Sequence, residues 1–275
     1  MLGLLFLAPS LFGVCIFVLI TFVDVVRRSF LDAMGNEFVG IRNYENVLQN
    51  EAFRLAAGNT IKFILVCIPL LLLISLLCAL LIHGLKVYQE FFKTTFLFPM
   101  AIPVASVVLL WRLFLDRNGF FNEGITLFGL SKVDWMNSES AFGVLVFTYL
   151  WKNVGYDMIL WLAGLAAIPK ERYEAASVDG AGSWQSFRYV TLPGLRSSVF
   201  VIGILSLVNC FKVFREAYLI AGDYPHESIY MMQHLFNNWF VSLDIQKMTA
   251  ASVMMAFVML CIMSLVWYRN ERSRE

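Results

Sequence analysis

Apolar residues in this chain come in long unbroken runs rather than in the narrow stripes of soluble helices. The runs lie near Leu2–Val23, Ile61–Ile82, Phe96–Leu115, Phe142–Ala167, Val199–Ala221 and Ala250–Tyr268. A helix needs about twenty such residues to cross roughly 30 Å of hydrocarbon. The pattern therefore predicts an all-α, polytopic membrane protein of about six spans, with residues 1–275 forming one transmembrane domain. The first run has no basic stretch before it and no small-residue cleavage site, so it is expected to be a retained span. Pro99 and Pro103 are expected to kink the third run.

One interruption differs from the others. "EAASVDGAGSWQSFRYVTLPG", Glu174 to Gly194, lies within a loop over 169–196 between the fourth and fifth runs. Pro169 suits a first helical turn, and Lys170 to Val178 tolerate a helix that places Tyr173, Ala176 and Ser177 on one face. Asp179-Gly180 is a stop signal, with glycine taking the left-handed conformation. Ser183 is expected to cap a second helix presenting Trp184, Phe187 and Val190, which Pro193 would end. Ala175, Ala176, Gly180, Ala181 and Gly182 leave one side nearly bare, as a plug for a protein socket would be. An amphipathic helix resting on lipid headgroups is the other reading.

Composition supports a membrane location: 59% of residues are hydrophobic and 15% charged. The net charge of +1 gives no basic field for nucleic acid. Five cysteines, Cys15, Cys67, Cys78, Cys210 and Cys261, sit inside apolar runs without CxxC spacing, and three histidines are scattered. They read as packing residues, with no metal site. With the termini inside, nine Lys and Arg fall on inner segments and eight on outer ones, which sets no orientation. Acidic residues such as Asp32, Glu45, Glu51, Asp134 and Asp244 all fall on the outer side of that arrangement, which favours cytoplasmic termini and a cytoplasmic 169–196 loop. No Gly-Lys pair occurs, so the chain has no phosphate-binding P-loop. No HExxH or GxSxG array points to an enzyme.

Polar side chains inside spans are costly and usually face a cavity or each other. In the fourth run Asn153, Tyr156 and Asp157 share a helical face, with Trp151 and Lys152 beside it. In the fifth, Asn209, Lys212 and Glu216 share another. Both sets fall near the midplane, where transporters hold substrate. Trp151, Asn153, Tyr156, Asp157, Asn209 and Lys212 are thus candidates for a substrate path, with hydrogen-bonding groups for a polyol and an aromatic face, Trp151 or Trp161, for its ring. Internal pairing, Asp157 with Lys152 or Lys212 with Glu216, is the competing reading. Arg112 and Lys62 are expected to snorkel or to pair helices.

"EAASVDGAGSWQSFRYVTLP" resembles the EAA signature of bacterial binding-protein-dependent ABC importer permeases. Glu174, Ala175, Ala176, Gly180, Leu192 and Pro193 fall in register, and Val190 stands where the signature has isoleucine. "FVGIRNYENVL" from Phe38, "FLFPMAIPVASVVLLWRLFLDRNGFFN" from Phe96 and "IPKERYEAASVDGA" are similar to the carbohydrate, maltose-type branch; "AGDYPHES", Ala221 to Ser228, departs from that branch's GGP-type turn. The resemblance implies a type I importer permease fold with a cytoplasmic coupling helix, in the bacterial inner membrane, both termini cytoplasmic. It implies that Glu174, Ala175, Ala176, Asp179, Gly180, Ala181, Phe187, Leu192 and Pro193 meet an ATPase. The implied partners are a second homologous permease, two copies of a cytoplasmic ABC ATPase and an extracellular or periplasmic solute-binding protein, beside membrane lipid. No cofactor is expected on this chain; ATP and Mg belong to the ATPase. The implied cargo is a sugar or oligosaccharide. The alternatives are the same machinery carrying glycerol phosphate or a polyamine, and a secondary carrier in which Asp157, Lys152 and Lys212 relay ions.

Overall fold

The computed structural model describes residues 2–85 and 88–272. The chain divides into two compact units: residues 1–57 with 232–265, and 58–231 with 266–275. Among the described residues the regular structure is helical, apart from one isolated bridge between Leu31 and Phe38.

In the first unit, α1 (Leu2–Val14), a π-helical stretch (Cys15–Ile20) and α2 (Thr21–Ser29) make one helical run. Side chains from Leu7 to Val23 are exposed or half-buried, and that stretch is apolar on all sides, as lipid contact allows, before Asp24, Arg27 and Arg28 give α2 a charged face. A tight loop follows. The Asp32 carboxylate accepts the N–H groups of Asn36 at 2.7 Å and Glu37 at 3.1 Å, which holds its pKa below the ordinary carboxylate value. Asn43, on α3 (Arg42–Gln49), donates to the carbonyls of Ser29 at 2.9 Å and Leu31 at 2.8 Å. Gln246 donates to the carbonyls of Asp32 and Ala33 from α15 (Ile245–Glu271), which follows α14 (Met232–Val241).

The long helix α4 (Glu51–His83) starts where Asn50 Oδ1 accepts the Phe53 N–H at 3.0 Å, an N-cap bond. In the second unit its buried residues Phe63, Cys67, Leu71, Ser75, Ala79 and Ile82 recur at four- and three-residue steps. They face α8 (Ser140–Ala166), whose buried Ala141, Leu145, Tyr149, Met158, Trp161, Leu162 and Leu165 follow the same period. Between membrane helices, close packing rather than water expulsion supplies the cohesion. Gly155 illustrates it: a methyl group there would overlap the Phe96 carbonyl of α5 (Gln89–Ala101).

The third expected span is broken rather than kinked. The axis turns by 87° between Gln89–Ala101 and the helical stretch Val104–Leu127, which comprises α6 (Val104–Leu115) and α7 (Phe120–Leu127). Ile102 is extended at φ −72°, ψ 128°, as the ring of the following Pro103 requires. The ring of Pro99, by contrast, sits inside α5. Arg112 pairs helices, donating to the Leu219 carbonyl at 2.9 Å. Lys62 lies 4.5 Å from the centre of the Phe142 ring, a cation–π contact.

By length and apolarity four helical stretches suffice to cross a membrane among the described residues, and five if the bent pair counts as one. The 27-residue α8 is not among them. It is long enough, at roughly 40 Å, but Lys152, Asn153 and Asp157 dilute its hydropathy.

Candidate functional site

Two features of the second unit carry chemistry. The first is the loop after α8. Pro169 precedes α9 (Lys170–Val178), which ends in a Schellman-type turn: Ala181 N–H reaches the Ala176 carbonyl at 2.9 Å, and Gly180 takes φ 79°. The next helix, α10 (Ser183–Ser186), is capped differently from the sequence expectation. Gly182, not Ser183, is the N-cap, and its N–H donates to Gln185 Oε1 at 2.8 Å. Nor does Pro193 end the helix. A π-helical turn (Phe187–Thr191) leads into α11 (Leu192–Gly194), where proline occupies the first turn and its missing N–H leaves no bond unmade. The fifth helical stretch, α12 (Arg196–Cys210), begins directly afterwards.

Glu174, Ala175, Asp179, Gly180, Leu192 and Pro193 are exposed, while Ala176, Ala181 and Phe187 are half-buried. Val178 is 88% exposed at the tip of α9. Trp184 is 70% exposed and stacks on Phe187 with ring centres 5.6 Å apart. The loop is anchored by Tyr173 and Val190, packed on the cluster of Ile82, Leu165, Ile168 and Leu195. The loop thus has one side fixed to the bundle and one turned outward.

The second feature is a cavity of about 210 Å³ lined by residues including Tyr149, Lys152, Asn153, Asn209, Arg215 and Glu216. Lys152 Nζ lies 3.2 Å from Glu216 Oε1, and both side chains are largely buried. The Lys152–Asp157 pair of the competing reading does not form, because five residues along a helix turn the two roughly 140° apart. Asp157 accepts a 2.8 Å bond from Ser206 Oγ on α12 instead, away from the cavity lining. Asn153 lines the cavity and donates to the Tyr149 carbonyl at 2.8 Å. Tyr156 is half-buried outside the lining, and Trp151 lines a separate apolar cavity with Phe96, Phe147 and Leu150. Trp161 is buried in the core and donates to Ser75 Oγ at 2.9 Å, so it offers no face to a cargo. The Lys212 side chain lies outside the described residues.

A 3₁₀ turn (Phe211–Val213) separates α12 from α13 (Phe214–Ala221), yet Asn209 and Glu216 line the same cavity. Tyr149 and Arg215 were missed as candidates. Tyr149 stands three and four residues before Lys152 and Asn153, so helical spacing could have found it. No group of three or more His, Cys, Asp or Glu residues suited to a metal occurs among the described residues.

Residues 71–272 match the model of a family described as binding-protein-dependent transport system inner membrane component. The chain is 30% identical to the trehalose/maltose transport system permease of Thermococcus litoralis, covering 100% of this chain and 95% of that one. It is 28% identical to the sulfoquinovosyl glycerol transport system permease of Agrobacterium fabrum, over 100% of this chain and 92% of the other. A chain in the crystal structure of a bacterial alginate ABC transporter, in complex with an alginate pentasaccharide-bound periplasmic protein, has the same fold: the TM-score is 0.85 at 24% identity, covering 98% of this chain and 94% of that one. With its helical bundle, its outward-turned loop and a match of this length, the chain belongs to the inner membrane components of binding-protein-dependent transport systems, and it is a multi-pass ABC importer permease, a transport subunit rather than an enzyme.

Proposed function

We propose that this permease carries a sugar or oligosaccharide, handed over by an extracellular or periplasmic binding protein, and that it is driven through its 169–196 loop by cytoplasmic ATPases. The observation that carries the drive is the division of that loop. Glu174, Ala175, Asp179 and Gly180 are exposed with scarcely any bulk between them, whereas Tyr173 and Val190 hold the back of the loop to the core. The small residues on that face let another protein approach the backbone closely, beside the exposed Val178. Val178 and the exposed Trp184 of the same loop add apolar contacts that such a partner would cover.

Two ATPases closing on ATP would draw this loop and that of a second permease together, rocking the bundles as rigid bodies between inward- and outward-open states. In this reading the loop and both termini are cytoplasmic. The cargo assignment follows the trehalose/maltose and sulfoquinovosyl glycerol relatives, and the cavity suits it, since the amides of Asn153 and Asn209 and the Tyr149 ring line one space. The relation to a transporter crystallised with its periplasmic protein supports the binding-protein partner.

The experiment is uptake in cells carrying the whole system. Gly180→Trp is expected to abolish uptake and to release the ATPase from purified complexes while the permease stays inserted. Wild-type uptake in that variant overturns the docking account. Titrating the partner binding protein with maltose, trehalose, glycerol phosphate and spermidine tests the cargo: binding of a saccharide is expected, and binding of only the latter two overturns that assignment.

A further inference from the structure

We infer that the hydrogen bond between Tyr173 and Thr191 makes the ATPase-facing helix α9 one rigid piece with the membrane bundle, so that these two residues position the docking surface under load. The inference rests on the docking role proposed above.

Tyr173 OH and Thr191 Oγ1 lie 3.0 Å apart. Thr191 is 6% exposed, and its Oγ1 lies 3.5 Å from the Ser186 carbonyl as donor, which leaves Tyr173 to donate in turn to Thr191. The chain of bonds thus runs from α9 through the π-helical turn to α10. That turn has a physical use: the extra residue it holds shifts the helix register at Thr191, and such π-helical insertions are often found at functional sites.

Two close contacts continue the join into the membrane helices. A methyl group on Gly194 would come 2.8 Å from Ile168 Cδ1, and one on Gly164 would overlap Ser198, so the end of α8 and the start of α12 already touch. Leu195 between them is fully buried. Gly164 with Ser198, Ile168 with Gly194 and Tyr173 with Thr191 thus join the chain leaving α8 to the chain entering α12 at three points. Among the described residues, the Tyr173–Thr191 bond adds a directional side-chain link to the entry at Pro169, the turn at Gly180 and the apolar packing of α9. Packing resists separation but tolerates sliding, whereas a directional bond fixes angle.

The test uses the complete transporter in nanodiscs, with native cysteines replaced and spin labels at Glu139→Cys, near the start of α8, and Glu171→Cys on α9. The distance between labels is read with and without a non-hydrolysable ATP analogue. In the otherwise wild-type protein one distance is expected in both conditions. In Thr191→Val and in Tyr173→Phe, the distance is expected to shift or split when the analogue is added and to stay native without it. Thr191→Ser is expected to restore single-distance behaviour. An unchanged distance in both variants overturns the inference, and so does a change equal with and without the analogue, which marks a merely structural bond. A wild-type distance that itself changes with the analogue also overturns it. Retention of the ATPase by Gly180→Trp in the same preparation would instead defeat the docking role.

Discussion

Lys152 of α8 and Glu216 of α13 form an ion pair at 3.2 Å, with side chains 10% and 12% exposed, in the wall of the polar cavity. A buried pair is expensive to break from one side, because the survivor is left as an uncompensated charge. Glu216→Gln or Lys152→Met is expected to destabilise the protein by about 3 kcal/mol, the lower end for such losses. Exchanging the charges, Lys152→Glu with Glu216→Lys, should recover most of that. Thermal unfolding of purified protein in detergent reads all three.

The Gly155 contact with the Phe96 carbonyl leaves no space for a side chain. Gly155→Ala must push α5 and α8 apart, an overpacking that costs about 1 to 3 kcal/mol. At Gly143, on the same helix, an added methyl group would meet nothing within 4 Å, so alanine there should raise the unfolding midpoint slightly, by relieving the roughly 0.5 to 1 kcal/mol that glycine costs a helix.

Trp161 and Ser75 make a buried bond whose loss is separable from transport. Trp161→Phe should lower stability by about 1 kcal/mol, with a further penalty if Ser75 Oγ is left without its donor. Ser75 also donates to the Leu71 carbonyl at 2.5 Å, so Ser75→Ala added to Trp161→Phe should cost less than the sum of the two single changes. Substrate preference in uptake assays should stay unchanged, since Trp161 is buried away from the cavity.

Gly180 takes φ 79° at the end of α9. Asparagine adopts that conformation readily, whereas a β-branched residue resists it by about 1 to 2 kcal/mol. Gly180→Asn should therefore keep the turn, and Gly180→Val should fray it. Proteolysis of the loop in inside-out vesicles distinguishes the two: faster cleavage is expected in the valine variant only.

Much of the fold was readable because a membrane helix must be apolar along its length. Which face each helix buries was not. The α4 sequence is apolar on every side, and only packing against α8 singles out Phe63, Cys67, Leu71, Ser75, Ala79 and Ile82. In the candidate site, the helix-stopping role of Gly180 was legible from a local rule, since its backbone needs no distant partner. The partners of Lys152 and Asp157 were not, because both bonds cross between elements about fifty or more residues apart in sequence, and helical spacing speaks only of neighbours on one helix. Pro193 misled for a related reason: the π-helical turn before it places the proline in the first turn of α11, where its missing N–H costs nothing.

The Lys152–Glu216 pair also bears on the membrane voltage. A single charge carried through the whole field exchanges about 2.3 kcal/mol for every 100 mV. Tied together at 3.2 Å, the two side chains present a short dipole instead. The electric field therefore does little work on that pair when α8 and α13 move, so the pair itself neither draws on nor opposes the electrical gradient that the cell maintains.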